Sequence, residues 1–131
     1  TGLDSTTALQ VVLLLRSLAN EGRTVVSTIH QPSSEVFYEF DKLLLIVEGR
    51  CIYKGDSSEA ETHFKSIGYE CPPLMNLAEF YMDMMSFQFE AKEGMEERAY
   101  EQAREEHNSK QLKLEQEYRA SKYYAENLKV K

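Results

Sequence analysis

The sequence predicts an α/β fold with a mostly parallel sheet, and three observations predict it. Val11, Leu14, Leu15 and Leu18 recur at the i, i+3, i+4, i+7 spacing of a helix with one buried stripe. Thr24 to Ile29 is β-branched and mostly apolar, and Leu43 to Val47 is continuously apolar, as in strands covered on both faces of a parallel sheet. Between those runs, Ser33 to Phe40 suits a short crossover helix, which joins parallel neighbours right-handedly.

Each element has a local reason. Ser5 is placed to cap the first helix, which runs to about Asn20 and stops at Gly22. Glu48-Gly49-Arg50 is a turn signal, after which Cys51 to Tyr53 returns as an antiparallel edge strand. Asp56 lies three residues before Glu59, the capping-box spacing, so a helix is expected from Ser57 to about Ile67 with Gly68 breaking it. Cys71-Pro72-Pro73 cannot be helical throughout, because each proline lacks a donor and restricts the residue before it. Asn76 with Glu79 repeats the cap pattern for a helix from Leu77 to Ser86.

Residues 87 to 131 differ in kind. They contain no proline, a single glycine at Gly94 and a dense mixture of Glu with Lys and Arg, which predicts a solvated, charged helical connector. Leu114, Tyr118, Ser121, Ala125 and Leu128 hold a 4-3-4-3 spacing for two heptads only, too short for a coiled coil. His63, four residues after Glu59 on a helix, is expected to form an exposed pair with it, and His107 sits in a polar run with no metal-ligand neighbour, so neither is expected to take part in a site.

Composition excludes several classes. The chain has 131 residues, suited to one domain, and a formal net charge of −7. Residues 1 to 85 carry 12 acidic and 6 basic side chains and the remainder 10 and 9, so neither part offers the clustered positive face that nucleic acid requires. The longest apolar runs, Val11 to Leu15 and Leu43 to Val47, fall far short of the roughly 20 residues of a membrane-spanning helix. No signal peptide is visible, and the chain is expected to begin inside a longer protein. Cys51 and Cys71 are 20 residues apart with no metal-ligand pattern, which predicts two structural, reduced thiols and no metal site.

Two short motifs carry the chemistry. Thr1-Gly2-Leu3-Asp4-Ser5 opens the chain, and Thr28-Ile29-His30-Gln31-Pro32-Ser33-Ser34-Glu35 follows the first strand-like run. No Gly-Lys dipeptide occurs, so the phosphate loop G-x-x-x-x-G-K-[ST] is absent from the segment. With these motifs, and with Phe40-Asp41-Lys42-Leu43-Leu44-Leu45, Gly68-Tyr69-Glu70-Cys71-Pro72 and Asn76-Leu77-Ala78-Glu79-Phe80 in order after them, the chain resembles the ATP-binding cassette transporters. More narrowly it resembles their G subfamily, the white-pigment and multidrug or sterol half-transporters. Leu77 and Glu79 stand where that family usually has proline and aspartate, and both still allow a helix to start.

The resemblance implies a fold and a function. Residues 1 to 86 would be the C-terminal part of a P-loop NTPase, the ABC nucleotide-binding domain, and 87 to 131 a charged helical linker towards a transmembrane domain outside the segment. Gly2, Leu3, Asp4 and Ser5 would form the D-loop at the seam with a second nucleotide-binding domain. His30 would be the catalytic switch histidine that contacts the γ-phosphate; a ring nitrogen at a strand end can also position water. ATP and Mg2+ would be the cofactors of the intact parent, whereas the segment alone is expected to bind neither. The implied partners are a second nucleotide-binding domain, in a homo- or heterodimer, and the membrane domain of the same parent, with no nucleic acid. The implied activity is ATP hydrolysis coupled to export of a lipid-like or hydrophobic substrate, at the cytoplasmic face of a membrane. The alternative is a piece of a soluble ATPase of the same class, or an inactive remnant.

Overall fold

The computed structural model describes residues 4–87, 94 and 96–129. Helix α1 spans Ser5–Asn20. Its cap is Asp4 rather than Ser5, the carboxylate accepting a 2.7 Å hydrogen bond from the Thr7 backbone N–H. No residue of α1 is buried, and Val11 and Leu14 of its apolar stripe are exposed, as is Leu13 between them. Arg16 ties the helix to the next segment by donating to Asp41 at 2.7 Å and to the Glu39 carbonyl at 3.2 Å. That pair is solvated and holds little free energy.

The expected first strand does not form. Residues 23–29 carry no strand, and Val26 and Ile29 are exposed. The short helix α2, Ser34–Phe37, follows, capped by Ser33 and burying Val36 and Phe37. Strand β1, Lys42–Val47, pairs antiparallel with β2, Arg50–Asp56, and this two-stranded hairpin is the sheet of the described residues. The expectation of a P-loop NTPase fragment with a parallel sheet is therefore corrected. Leu43 to Val47 is not covered on both faces: Leu45 and Val47 point into the core, while Leu44 and Ile46 face outward and exposed.

The hairpin closes through Glu48 and Gly49, both with positive φ (48° and 78°), the geometry of a two-residue turn whose twist matches the strands. A register shift between Leu45 and Ile46 pairs Leu45 with Tyr53 but Ile46 with Cys51. Ile52 is the extra residue of this bulge, and the broken alternation lets adjacent Ile52 and Tyr53 both be fully buried. Two residues on, Gly55 has φ +153°, and a Cβ there would lie 3.0 Å from Tyr53 Oη, which donates to the Asp56 carbonyl at 2.7 Å. Gly55→Ala should therefore destabilise the chain by about 1–3 kcal/mol, from backbone strain and displacement of the Tyr53 ring. Urea denaturation checks this, and an unchanged midpoint would mean the ring yields freely.

Helix α3, Ser57–Ser66, begins where the sequence predicts, but without the capping box. Asp56 caps with no side-chain bond, because the register sets it opposite Lys42 and its carboxylate pairs with that ammonium instead. Helix α4, Leu77–Met85, does have its expected cap, Asn76 Oδ1 accepting from the Glu79 N–H at 3.0 Å.

The larger surprise lies in the charged tail. Helices α5, Glu97–Arg119, and α6, Lys122–Lys129, pack on the hairpin rather than standing free. Leu114, Tyr118 and Tyr123 belong to one buried cluster with Leu45, Val47, Ile52, Tyr53, Ala60, Phe64, Tyr81 and Met84. The turn at Ala120 and Ser121 splits the anticipated stripe: Tyr123 swings inward and Leu128 is left exposed. Polar bonds fix the docking. Tyr118 Oη (3.3 Å) and Asn127 Nδ2 (2.6 Å) both donate to the Lys54 carbonyl of β2. Gln111, 1% exposed, donates to the Met84 carbonyl at 3.0 Å, satisfying one of the acceptors that the end of α4 leaves open.

Candidate functional site

The residues singled out from sequence occupy one end of α1 and the segment leading into α2. Gly2 and Leu3 lie outside the described residues. Asp4 and Ser5 are exposed, and the Thr7 N–H bonded to Asp4 holds its carboxyl below the usual carboxylate range. A shallow cleft of about 490 Å³ brings Ser5, Thr6 and Leu9 of α1 beside Ser33, Ser34 and Glu35. Parts of the two motifs thus border one space, offering hydroxyls at two helix starts. His30 is exposed on a bend outside that cleft, not at the end of a strand as anticipated, because the run before it has no strand partner. Among the described residues no His, Cys, Asp and Glu cluster is arranged to hold a metal.

One deeply enclosed polar group is a residue that sequence reasoning set aside. His63 is 2% exposed, not solvated. Its ring sits 5.6 Å from Tyr53, 5.0 Å from Phe64, 6.2 Å from Tyr118 and 5.5 Å from Tyr123, centroid to centroid, with the last two perpendicular to it. Burial pushes the imidazole pKa down, opposed by the negative charge of Glu117. The same desolvation raises the hydroxyl pKa values of Tyr53 and Tyr81. A signal for His63 was present in the sequence: Ala60, His63, Phe64 and Ile67 fall on one helical face, so the histidine shares the apolar stripe of α3. His107 is also largely enclosed, its ring 5.3 Å from Phe87 and its Nε2 4.0 Å from Glu48. Beside it, Arg104 pairs with Glu48 at 2.8 Å, and Arg50 with Glu115 at 3.1 Å, so two ion pairs clip α5 to the hairpin.

Comparison with known proteins places this architecture. The profile of the ABC-2 type transporter family matches residues 30–124, well over half of the chain. The chain belongs to that family, and with it to the membrane transporters of the ATP-binding cassette class.

Its relatives are of the G subfamily. It is 55% identical to ABC transporter G family member 22 of Arabidopsis thaliana over 85 residues, 63% of this chain and 11% of the relative. It is 49% identical to Protein white of Drosophila melanogaster over 85 residues, 65% of the chain and 12% of the relative. It is 45% identical to the broad substrate specificity ATP-binding cassette transporter ABCG2 of Sus scrofa over 86 residues, 66% of the chain and 13% of the relative. The chain thus spans little more than a tenth of the proteins it matches.

These matches uphold the G-subfamily resemblance but correct its finer part. The matched family is that of the transporters' membrane domain, so the assignment to the nucleotide-binding domain falls, and with it the placement at a cytoplasmic face. The reason is visible along the chain. The motif at residues 1–5 lies wholly outside the match, which begins at His30, and the parallel sheet that a nucleotide-binding domain needs is not formed among the described residues. Among the described residues no helix is long and apolar enough to cross a membrane.

Proposed function

We propose that this chain is part of a G-subfamily exporter that moves a lipid-like or hydrophobic substrate across a membrane at the expense of ATP. The observation that carries the reading is the 45–55% identity to G-subfamily transporters together with the family match over residues 30–124. ATP and Mg2+ belong to the intact parent in this reading, not to the segment. The partners are a second half-transporter, the same or a related chain, and the membrane spans of the same parent. Cargo selection is a property of the whole transporter, because a site, not a family, determines substrate.

His30 is retained as the residue to test for a role in turnover, with Gly2, Leu3, Asp4 and Ser5 as the segment to test for coupling between the two halves. His30 is exposed in this segment. One experiment covers the reading. Inside-out vesicles carrying the intact parent should accumulate a lipophilic dye only with Mg-ATP. The His30→Ala parent should lose about 10²-fold or more in ATP turnover while its nucleotide affinity changes little, the pattern of a group acting in the transition state. Dye accumulation without nucleotide would defeat the exporter reading. Wild-type turnover in the variant would defeat only the role of His30.

A further inference from the structure

The tail docks over a buried imidazole that has no hydrogen-bond partner at Nε2. Four aromatic rings enclose it, from four separate places in the fold: Tyr53 on β2, Phe64 on α3 itself, Tyr118 on α5 and Tyr123 on α6. Half of that enclosure is supplied by the two tail helices. The charged and titratable groups around it are few. Glu117 on α5 bears on His63 directly, whereas Asp56, the last residue of β2, bears on the Tyr53 hydroxyl, Glu59 on α3 on those of Tyr53 and Tyr123, and Glu126 on α6 on that of Tyr123.

We propose that this cage is a proton-operated clasp, in which uptake of one proton at His63 loosens α5 and α6 from β2 and α3. A neutral imidazole fits an aromatic enclosure, but an imidazolium needs water or an acceptor for both N–H groups. Withdrawal of the tail is the route by which solvent reaches His63, since Tyr118 and Tyr123 are the walls that belong to separable helices. The clasp is independent of whether the parent exports lipid, so its failure and the failure of the exporter reading are distinct.

The direction with pH follows from the burial. The folded state holds His63 below the ordinary histidine value of 6.5, so its contribution to stability is complete above that value. It is lost progressively as pH falls below 6.5 towards the folded value, and no further loss follows beneath that. Hydrogen exchange corrected for intrinsic rates, together with the imidazole carbon-bound proton shifts, reads this on the full chain. Protection across α5 and α6 should fall several-fold between pH 7.5 and 5, more than protection across β1. His63→Phe should abolish the fall, and His107→Gln should leave it. Glu117→Gln, which removes the charge that favours the imidazolium, should move the midpoint to lower pH. Protection independent of pH, an equal fall in His63→Phe, an unmoved midpoint in Glu117→Gln, or a His63 resonance titrating at or above 6.5 would each overturn the clasp.

Discussion

Tyr53→Ala is expected to destabilise the chain by about 3–5 kcal/mol. Tyr53 is fully buried and touches the rings of His63, Phe64, Tyr118 and Tyr123, joining β2 to α3, α5 and α6 at one point. Removing a large buried aromatic costs about 3–5 kcal/mol through lost transfer energy and the cavity left behind. The hydroxyl contributes as well, because its bond to the Asp56 carbonyl satisfies an acceptor where the strand gives way to α3. Set against a total of about 5–15 kcal/mol for a domain, a loss of that size removes a large share of the margin. Urea denaturation followed by far-UV dichroism measures it. A cost below about 1.5 kcal/mol, the range of a volume-conserving swap, would show that the surrounding rings close over the gap.

The second large effect concerns the tail. A chain ending at Glu96 should lose cooperative unfolding and associate with itself, although the residues removed are dominated by charge. Without α5 and α6 the inner face of the hairpin, with Ile52 and Tyr53, loses Leu114, Tyr118 and Tyr123, and the end of α4 loses Gln111. The apolar surface so exposed adds to what α1 and the outer face of β1 already show at Val11, Leu13, Leu14, Leu44 and Ile46. Contiguous exposed apolar surface of this kind drives association. Analytical ultracentrifugation with thermal denaturation checks it. A monomeric truncated chain with a sharp transition would mean that the hairpin, α3 and α4 hold a sufficient core by themselves.

Local chemistry made much of this molecule legible in advance. The turn at Glu48 and Gly49, the antiparallel return of β2, the start of α3 and the Asn76 cap of α4 each follow from a few neighbouring residues whose backbone preferences agree. The start of α1 was off by one residue, Asp4 taking the cap in place of Ser5, which is within the ordinary ambiguity of adjacent capping residues. Thr24 to Ile29 is a different kind of failure. Its composition favours a strand, but a strand exists only through a partner's N–H and C=O groups, and here none is paired to it.

The candidate site was harder to read. Ser5 and Ser33 to Glu35 meet at one cleft, but His30 does not join them, since the position of an exposed bend is not encoded in its own residues. His63 was misjudged from its sequence neighbour Glu59, whereas its surroundings come from residues 10 positions before it and as many as 60 after it. The tail was misjudged because charge density describes its outer face; only the opposite face, with Gln111, Leu114 and Tyr118, decides where α5 lies.

By itself the sequence determined the Asn76 cap of α4, the hairpin turn, the helical character of the tail and the subfamily of transporters to which the chain is related, because each rests on short-range geometry or on ordered identity. Tertiary structure alone decided that Thr24 to Ile29 stays out of the sheet, that β2 bulges at Ile52 and that α5 and α6 close the core over His63. Those outcomes depend on burying Tyr53, Tyr81, Phe64 and Leu114 together, and such burial is a property of distant segments meeting rather than of any one of them.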